Sequence, residues 1–161
     1  MLDESVADRW LSIAAREESI LGGLVEVLQS DQRAVAAARV EEIEGNVVRK
    51  ETAITEMRMI EESKRNLIAS IPGGAENFAG LPRRFPVSRR SPAEASLARL
   101  RSLREAAAEL NELSRRIMIH GLFLVRSTLG AVAGDAGASG YAENGDRRPP
   151  TATGKIVRQN A

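Results

Sequence analysis

Few residues of this chain could do chemistry, and they are scattered along it. The sequence has one histidine, His120, one tyrosine, Tyr141, and no cysteine. The lack of cysteine excludes disulfides, thiolate metal sites and cysteine nucleophiles. A metal ion at His120 would need carboxylate ligands, but no Asp or Glu lies within a helical turn of it. Because no nucleophile, base and orienting group converge, we expect no enzyme, no cofactor and no metal site.

A basic stretch offers a second kind of chemistry. PRRFPVSRR, residues 82–90, could contact nucleic acid or an anionic surface. The whole chain, however, carries 23 basic against 22 acidic residues, so no global field favours such a partner. We therefore interpret the stretch as a solvated loop, and we expect protein partners and no nucleic acid.

Two helices that could position these residues are predicted by hydrophobic spacing. Apolar side chains at steps of three, four or seven mark a first helix over residues 3–28. Ser30 and Asp31 offer capping groups for a second helix from Gln32 to about Ser70. Pro72 ends that helix, because it disfavours helical geometry in the preceding residue. A loop is expected from there to Arg90.

The clearest predicted boundary is the start of a third helix. Ser91-Pro92-Ala93-Glu94 has the residues of a capping box with proline at the first helical position. Apolar residues then follow at steps of three and four, as in a coiled-coil seam, to about Ala133. Residues 134–161 are rich in Gly, Pro and polar types, which predicts a disordered tail. The domains are thus residues 1–133, a helical bundle, and residues 134–161, a flexible tail.

These lengths predict an all-α fold, a long antiparallel helical hairpin with a shorter N-terminal helix packed at one end. At ~1.5 Å per residue, helix one spans about 40 Å and the other two about 60 Å each. We expect the three-helix bundle where helix one meets the first half of helix two and the second half of helix three. At the other end, a two-helix seam is expected to join the side chains of Leu67, Ile71, Leu97, Leu100 and Leu103.

The segment IMIHGLFLVRSTLGAV, residues 117–132, is the most apolar part of helix three. It is too short and too often interrupted by polar residues to span a membrane, and the N-terminus lacks the pattern of a signal peptide. Helical spacing favours core packing for the segment as a whole. The alternative is a surface kept for a partner helix. The predicted core stripes are Ile117, Leu124 and Ala131 on one side and Met118, Leu122, Val125, Leu129 and Val132 on the other, with Ile119 and Phe123 in neither.

The C-terminal third contains Asn111, HGLFLVRSTL at residues 120–129, and GYAENG at residues 140–145. In these motifs it resembles the FlgN-type flagellar export chaperones. Chain length, the all-helical layout and RKETAITEM at residues 49–57 agree with it. His120 stands where the family usually has asparagine, and Ala142 where glycine is common.

This resemblance implies a cytoplasmic, non-enzymatic chaperone. Such a protein binds hook-filament junction proteins, prevents their premature assembly and delivers them to the flagellar type III export gate. It implies a gate contact at Tyr141, in a tail where an exposed aromatic ring can anchor a partner. The residues alone also allow a structural coiled-coil module that self-associates, and a weak homodimer fits either interpretation. The cargo-binding residues implied are Ile117, Met118, Gly121, Leu122, Phe123, Val125, Leu129 and Val132.

Overall fold

The computed structural model describes residues 2–71 and 77–132. The chain forms helices α1, Glu4–Ala36, α2, Val40–Ala69, and α3, Val87–Val132, with a short 3-10 segment at Phe78–Arg84 before α3. Within these residues there is no strand, so the predicted all-α helical bundle is confirmed. Residues 1–114 form one compact unit, and the rest of α3 belongs to a second unit. The predicted tail, residues 134–161, lies outside the described residues, and the domain boundary there stays a prediction.

The boundary between α1 and α2 is displaced from its predicted place. Helix α1 continues through Ser30 and Asp31, because both side chains contact α2 and so do not cap a helix. Asp31 is buried and accepts a hydrogen bond from Lys50 Nζ at 2.7 Å, while Ser30 accepts one from buried Asn46 at 3.2 Å. The predicted end of helix one and the predicted start of helix two, at Gln32, were therefore wrong.

The turn between the two helices is built on a left-handed alanine. Ala38 has φ 52° and follows the C-cap residue Ala37. The Arg39 amide donates to the Ala34 carbonyl at 2.9 Å and the Ala38 amide to the Val35 carbonyl at 3.1 Å. This is the hydrogen-bond pattern of a Schellman motif, in which glycine usually takes the left-handed position. The short turn makes α1 and α2 antiparallel neighbours of 33 and 30 residues.

The predicted start of α3 at Ser91 is also wrong. The helix begins four residues earlier, at Val87, and the carbonyl of Pro86 accepts from the Arg89 and Arg90 amides. Pro92 therefore lies inside the helix rather than at its first position. It removes only one hydrogen bond, that to the carbonyl of residue 88, so the helix persists.

The hydrophobic core lies where the early part of α1 meets the end of α2 and the start of α3. Trp10, fully buried, stacks on Phe78 with 4.8 Å between ring centroids and meets Phe85 edge-on at 5.8 Å. Its indole N–H donates to the Phe78 carbonyl at 2.9 Å. Phe78, Pro82 and Phe85 are buried, so the interpretation of this connection as a solvated loop was wrong. The burial of two aromatic rings and a proline stabilises this connection against the core more than the neighbouring arginines favour solvent.

The three-helix end of the bundle is opposite to the predicted one. The predicted cluster does form: Leu67, Ile71 and Leu100 are buried together, and Leu97 and Leu103 pack against them. It is not a two-helix seam, however, because Ala7, Trp10 and Ala14 of α1 join the same cluster. The error follows from the misplaced α1 boundary, since a longer α1 matches α2 along its whole length.

Ion pairs tie α1 to the other two helices within this unit. Glu17 is fully buried; its carboxylate lies 2.8 Å from Lys64 Nζ of α2 and also meets the Arg104 guanidinium of α3. Next to it, Glu18 pairs with Arg99 at 2.8 Å and accepts from Ser96. Burial raises the pKa of Glu18, but hydrogen bonds from Arg99 and Ser96 outweigh it, so this pKa lies below its ordinary value. The charges therefore fix the register of the three helices.

Candidate functional site

The most unusual surface of the protein is the last part of α3, residues 115–132, here called the apolar segment. Its large hydrophobic side chains from Met118 to Leu129 are between 53% and 67% exposed. Folded proteins rarely leave so many neighbouring apolar groups in water without a use for them. The seven exposed side chains are those of Met118, Ile119, Leu122, Phe123, Leu124, Val125 and Leu129.

The segment is helical for local reasons. It contains no proline, and Thr128 Oγ1 donates to the Leu124 carbonyl at 2.9 Å, so the hydroxyl group of this residue is satisfied within the helix. Gly121 and Gly130 each cost the helix about 1 kcal/mol relative to alanine. A Cβ atom built at Gly121 would meet nothing within 4 Å, so the glycine is not required by close packing.

The exposed side chains form one continuous stripe with apolar flanks. Met118, Leu122, Val125 and Leu129 follow at steps of four, three and four and so lie on one helical face. Gly121 lies on the same side, between Met118 and Val125, and leaves a shallow gap in that face.

Core packing of this segment, which the spacing favoured, is wrong. Leu124 was expected in one core stripe and Met118, Leu122, Val125 and Leu129 in the other, yet all five are exposed. The compact unit formed with α1 and α2 takes in α3 only as far as Ser114. Periodicity shows that a helix has an apolar face, but not whether anything covers that face.

The structure places most of the expected cargo-binding residues together. Met118, Gly121, Leu122, Phe123, Val125 and Leu129 are exposed on the apolar segment, and Ile117 is half-buried. Val132 ends the helix, but its side chain lies outside the described residues, as does Tyr141. Ile119 and Leu124 belong to the exposed set and were not among the expected residues. The sequence did contain a signal for Ile119 and Leu124. The apolar residues of this segment extend around more of the helix circumference than a buried helix of a small bundle needs.

The electrostatics of the apolar segment are one-sided. Residues 115–132 include three arginines, Arg115, Arg116 and Arg126, together with His120, and no aspartate or glutamate. The nearest acidic residues along the chain are Glu112 and Asp135, each three positions beyond one end of the segment. The chain as a whole is nearly neutral, so the basic character of this segment is local.

Two surface concavities of the compact unit offer other places where a partner could bind. One, of about 330 Å³, lies between α1 and α2 with Leu24, Ala53, Ile54 and Met57 in its lining. The other, of about 750 Å³, lies beside the 3-10 segment and is lined by arginine and glutamate side chains as well as Leu97. Neither gathers as many large exposed hydrophobic side chains as the apolar segment, which has seven.

The part of the chain that the structure describes has neither a candidate metal site nor a helix that could span a membrane. No group of three or more His, Asp or Glu side chains could hold a metal ion there. His120 is exposed on α3. None of the described helices is long and apolar enough to cross a membrane.

Comparison with known proteins decides the family. The FlgN family, described as FlgN protein, matches residues 1–149 of the 161. The chain belongs to the FlgN family. The match covers the three helices, the apolar segment and the Tyr141 region, so the resemblance drawn from the sequence is confirmed. No curated protein and no solved structure gave a significant match.

Membership of the FlgN family gives the protein a general role. It is a flagellar export chaperone, which acts in flagellum assembly and type III export and binds export substrates. The family is one of chaperones rather than of enzymes. Within this FlgN protein, the apolar segment is where exposed large hydrophobic side chains gather.

Proposed function

We propose that this chaperone binds hook-filament junction proteins through the apolar segment of α3 and delivers them to the export gate. The seven exposed hydrophobic side chains between Met118 and Leu129 carry the proposal. An amphipathic helix of the cargo would cover them, in the manner of a helix laid along an apolar surface. Covering the cargo helix would keep it from assembling or aggregating early.

The tail around Tyr141 is proposed to contact the export gate. Separate surfaces for cargo and gate would let the chaperone hold its cargo while docking. A cytoplasmic location follows from this role, because export substrates must be held on the side of the membrane where they are synthesised.

The cargo surface is tested by a double substitution, Leu122→Ser with Phe123→Ser. Full burial of either side chain contributes about 1.5–3 kcal/mol, so we expect junction proteins to bind at least about tenfold more weakly. The matched control is Val48→Ser with Met59→Ser, two exposed hydrophobic residues of α2. Circular dichroism must show unchanged helicity in both variants. Equal cargo affinity of the two variants would contradict the proposal.

The gate contact is tested by a chain that ends at Ala133. We expect junction proteins to be captured by both the full-length and the shortened chain, and export-gate protein by the full-length chain only. Capture of the gate by the shortened chain would remove the role of Tyr141. Loss of junction proteins would show that the tail belongs to the cargo site.

A structural module that self-associates is the second candidate. The observation in its favour is the seven-residue repeat of exposed residues, Met118 to Val125 and Leu122 to Leu129, which is the pattern of a coiled-coil seam. Sedimentation over a wide concentration range separates the two functions. A dimer that persists at nanomolar concentration without cargo supports the module, whereas a monomer or a weak dimer supports the chaperone.

A further inference from the structure

The exposed hydrophobic side chains of the apolar segment do not all lie on one side of α3. Successive residues of an α-helix are about 100° apart around its axis. Four of the exposed side chains therefore lie within an arc of about 60°, here called the first face. The first face consists of Met118, Leu122, Val125 and Leu129.

Ile119 and Phe123 are also exposed and form a second face. Its centre lies about 110° around the helix from the centre of the first face. Arg126 lies between the two faces, and His120 and Ser127 lie beyond the far edge of the second face. Polar residues thus border the second face on both sides, so it is not an extension of the first.

A single partner helix cannot cover both faces. A helix packed against a surface contacts an arc of about 100° of its neighbour. When that contact is centred on the first face, Ile119 lies at its edge and Phe123 lies outside it. The simplest form of the proposed function, one cargo helix, therefore leaves the ring of Phe123 in water.

The area of the first face is small for a specific interface. Covering its four side chains removes roughly 400 Å² of apolar surface from water. A specific protein interface buries about 800 Å² on each partner. Covering the second face as well narrows this difference, because it adds an isoleucine and a phenylalanine to the buried surface.

We propose that the cargo covers the apolar segment with two amphipathic helices of one chain, one on each face. This rests on the proposed cargo-binding function and adds the architecture that the cargo must present. With their axes about 8–10 Å from that of α3, the two helices would lie about 15 Å apart. A loop of about five residues spans that distance. Two helices on one chain also bind more tightly than the same helices apart, because the second one binds intramolecularly.

The test uses the full-length protein and two synthetic probes of equal length. Each probe has two helices of about 18 residues joined by a flexible loop. Both helices of the first probe carry a leucine face, whereas glutamine replaces the leucines in one helix of the second probe. Fluorescence anisotropy should show that the first probe binds at least about tenfold more tightly than the second. Sedimentation of the complex should show one copy of the protein for each probe.

Two pairs of substitutions assign the effect to a face. Ile119→Ser with Phe123→Ser should reduce the advantage of the first probe to about twofold or less and leave the affinity of the second probe unchanged. Met118→Ser with Val125→Ser should weaken the binding of both probes, because the single leucine face binds the larger first face. Circular dichroism must show unchanged helicity in both variants.

The matched control is again Val48→Ser with Met59→Ser on α2, which should change neither affinity. Equal binding of the two probes, or an advantage that survives the loss of Ile119 and Phe123, would overturn the two-helix inference and leave the proposed cargo surface standing. Two copies of the protein for each probe would also overturn it, since a second copy would then cover the second face. Failure of both probes to bind would overturn the inference together with the proposed cargo surface.

Discussion

Trp10 and Phe85 of the compact unit are fully buried, whereas Phe123 of the apolar segment is 67% exposed. Aromatic residues are scarce in this chain, at 3% of its residues. Burial of the first two stabilises the fold, because each removes a large apolar area from water. The exposed ring of Phe123 contributes nothing to the stability of the free protein. The difference shows that hydrophobicity serves folding in one region and binding in the other.

Charge follows the same division. In the compact unit, buried Glu17 meets Lys64 and Arg104 from two other helices, so acidic and basic groups neutralise each other. Residues 115–132 include basic side chains and no aspartate or glutamate of their own. The ion pairs of the compact unit therefore set the register of its helices.

Replacement of the central tryptophan should give the largest effect and separate the two regions most clearly. Trp10→Ala should lower the free energy of unfolding by about 3–5 kcal/mol, because it leaves a cavity between Phe78 and Phe85. Urea denaturation followed by circular dichroism measures it. Leu124→Ala on the apolar segment should change stability by no more than about 0.5 kcal/mol. Similar losses for the two variants would remove the distinction between core and binding surface.

Breaking the buried ion pair should be nearly as costly. Glu17→Ala should destabilise the protein by about 3 kcal/mol, since it leaves Lys64 buried beside only one remaining carboxylate, that of Glu61. Glu17→Met with Lys64→Met should cost less than the single change, because neither charge is then left without its partner. A double variant less stable than Glu17→Ala would show that the pair contributes more than its desolvation costs.

A glycine at the turn between α1 and α2 should stabilise the compact unit. Ala38 holds a left-handed conformation that costs a non-glycine residue roughly 1–2 kcal/mol. Part of this gain is offset by the greater freedom of glycine in the unfolded chain, so Ala38→Gly should raise the free energy of unfolding by about 0.5 kcal/mol. Cargo affinity should not change. A destabilised Ala38→Gly variant would contradict the backbone conformation assigned to this turn.

The smallest effect concerns the pH dependence of stability. Because the pKa of Glu18 is lower in the folded protein than in the unfolded chain, its contribution is complete above the unfolded pKa, near 4.5, and is lost as pH falls through the folded value. Glu18→Gln should therefore flatten the acid side of the stability curve. Thermal denaturation between neutral pH and pH 3 checks this, and an unchanged slope would mean that Arg99 and Ser96 do not stabilise the carboxylate.

Local rules predicted the fold class but not every helix boundary. Ser30, Asp31 and Ser91 have the chemistry of helix caps, and each lies inside a helix. Ser30 and Asp31 bond instead to side chains of α2, a use that depends on residues 16 and 19 positions away. The true break, at Ala38, carries no glycine or proline signal.

Long-range packing explains what the sequence left undecided about the core and the site. The contact between Trp10 and Phe78 joins residues 68 positions apart, so no local pattern could place the 3-10 segment in the core. The apolar segment was recognisable as unusual, because Ile119 and Phe123 fitted neither expected stripe. The spacing of its residues could not predict that this segment is exposed. Exposure depends on how far along α3 the other two helices extend.

Hydrogen exchange of the full-length protein, free and bound to a junction protein, tests the central claim most directly. The account predicts that amides of residues 115–132 gain protection on binding, while those around Trp10 and Leu67 stay as they are in the free protein. Unchanged exchange at residues 115–132, with protection gained only within residues 2–114, would contradict it.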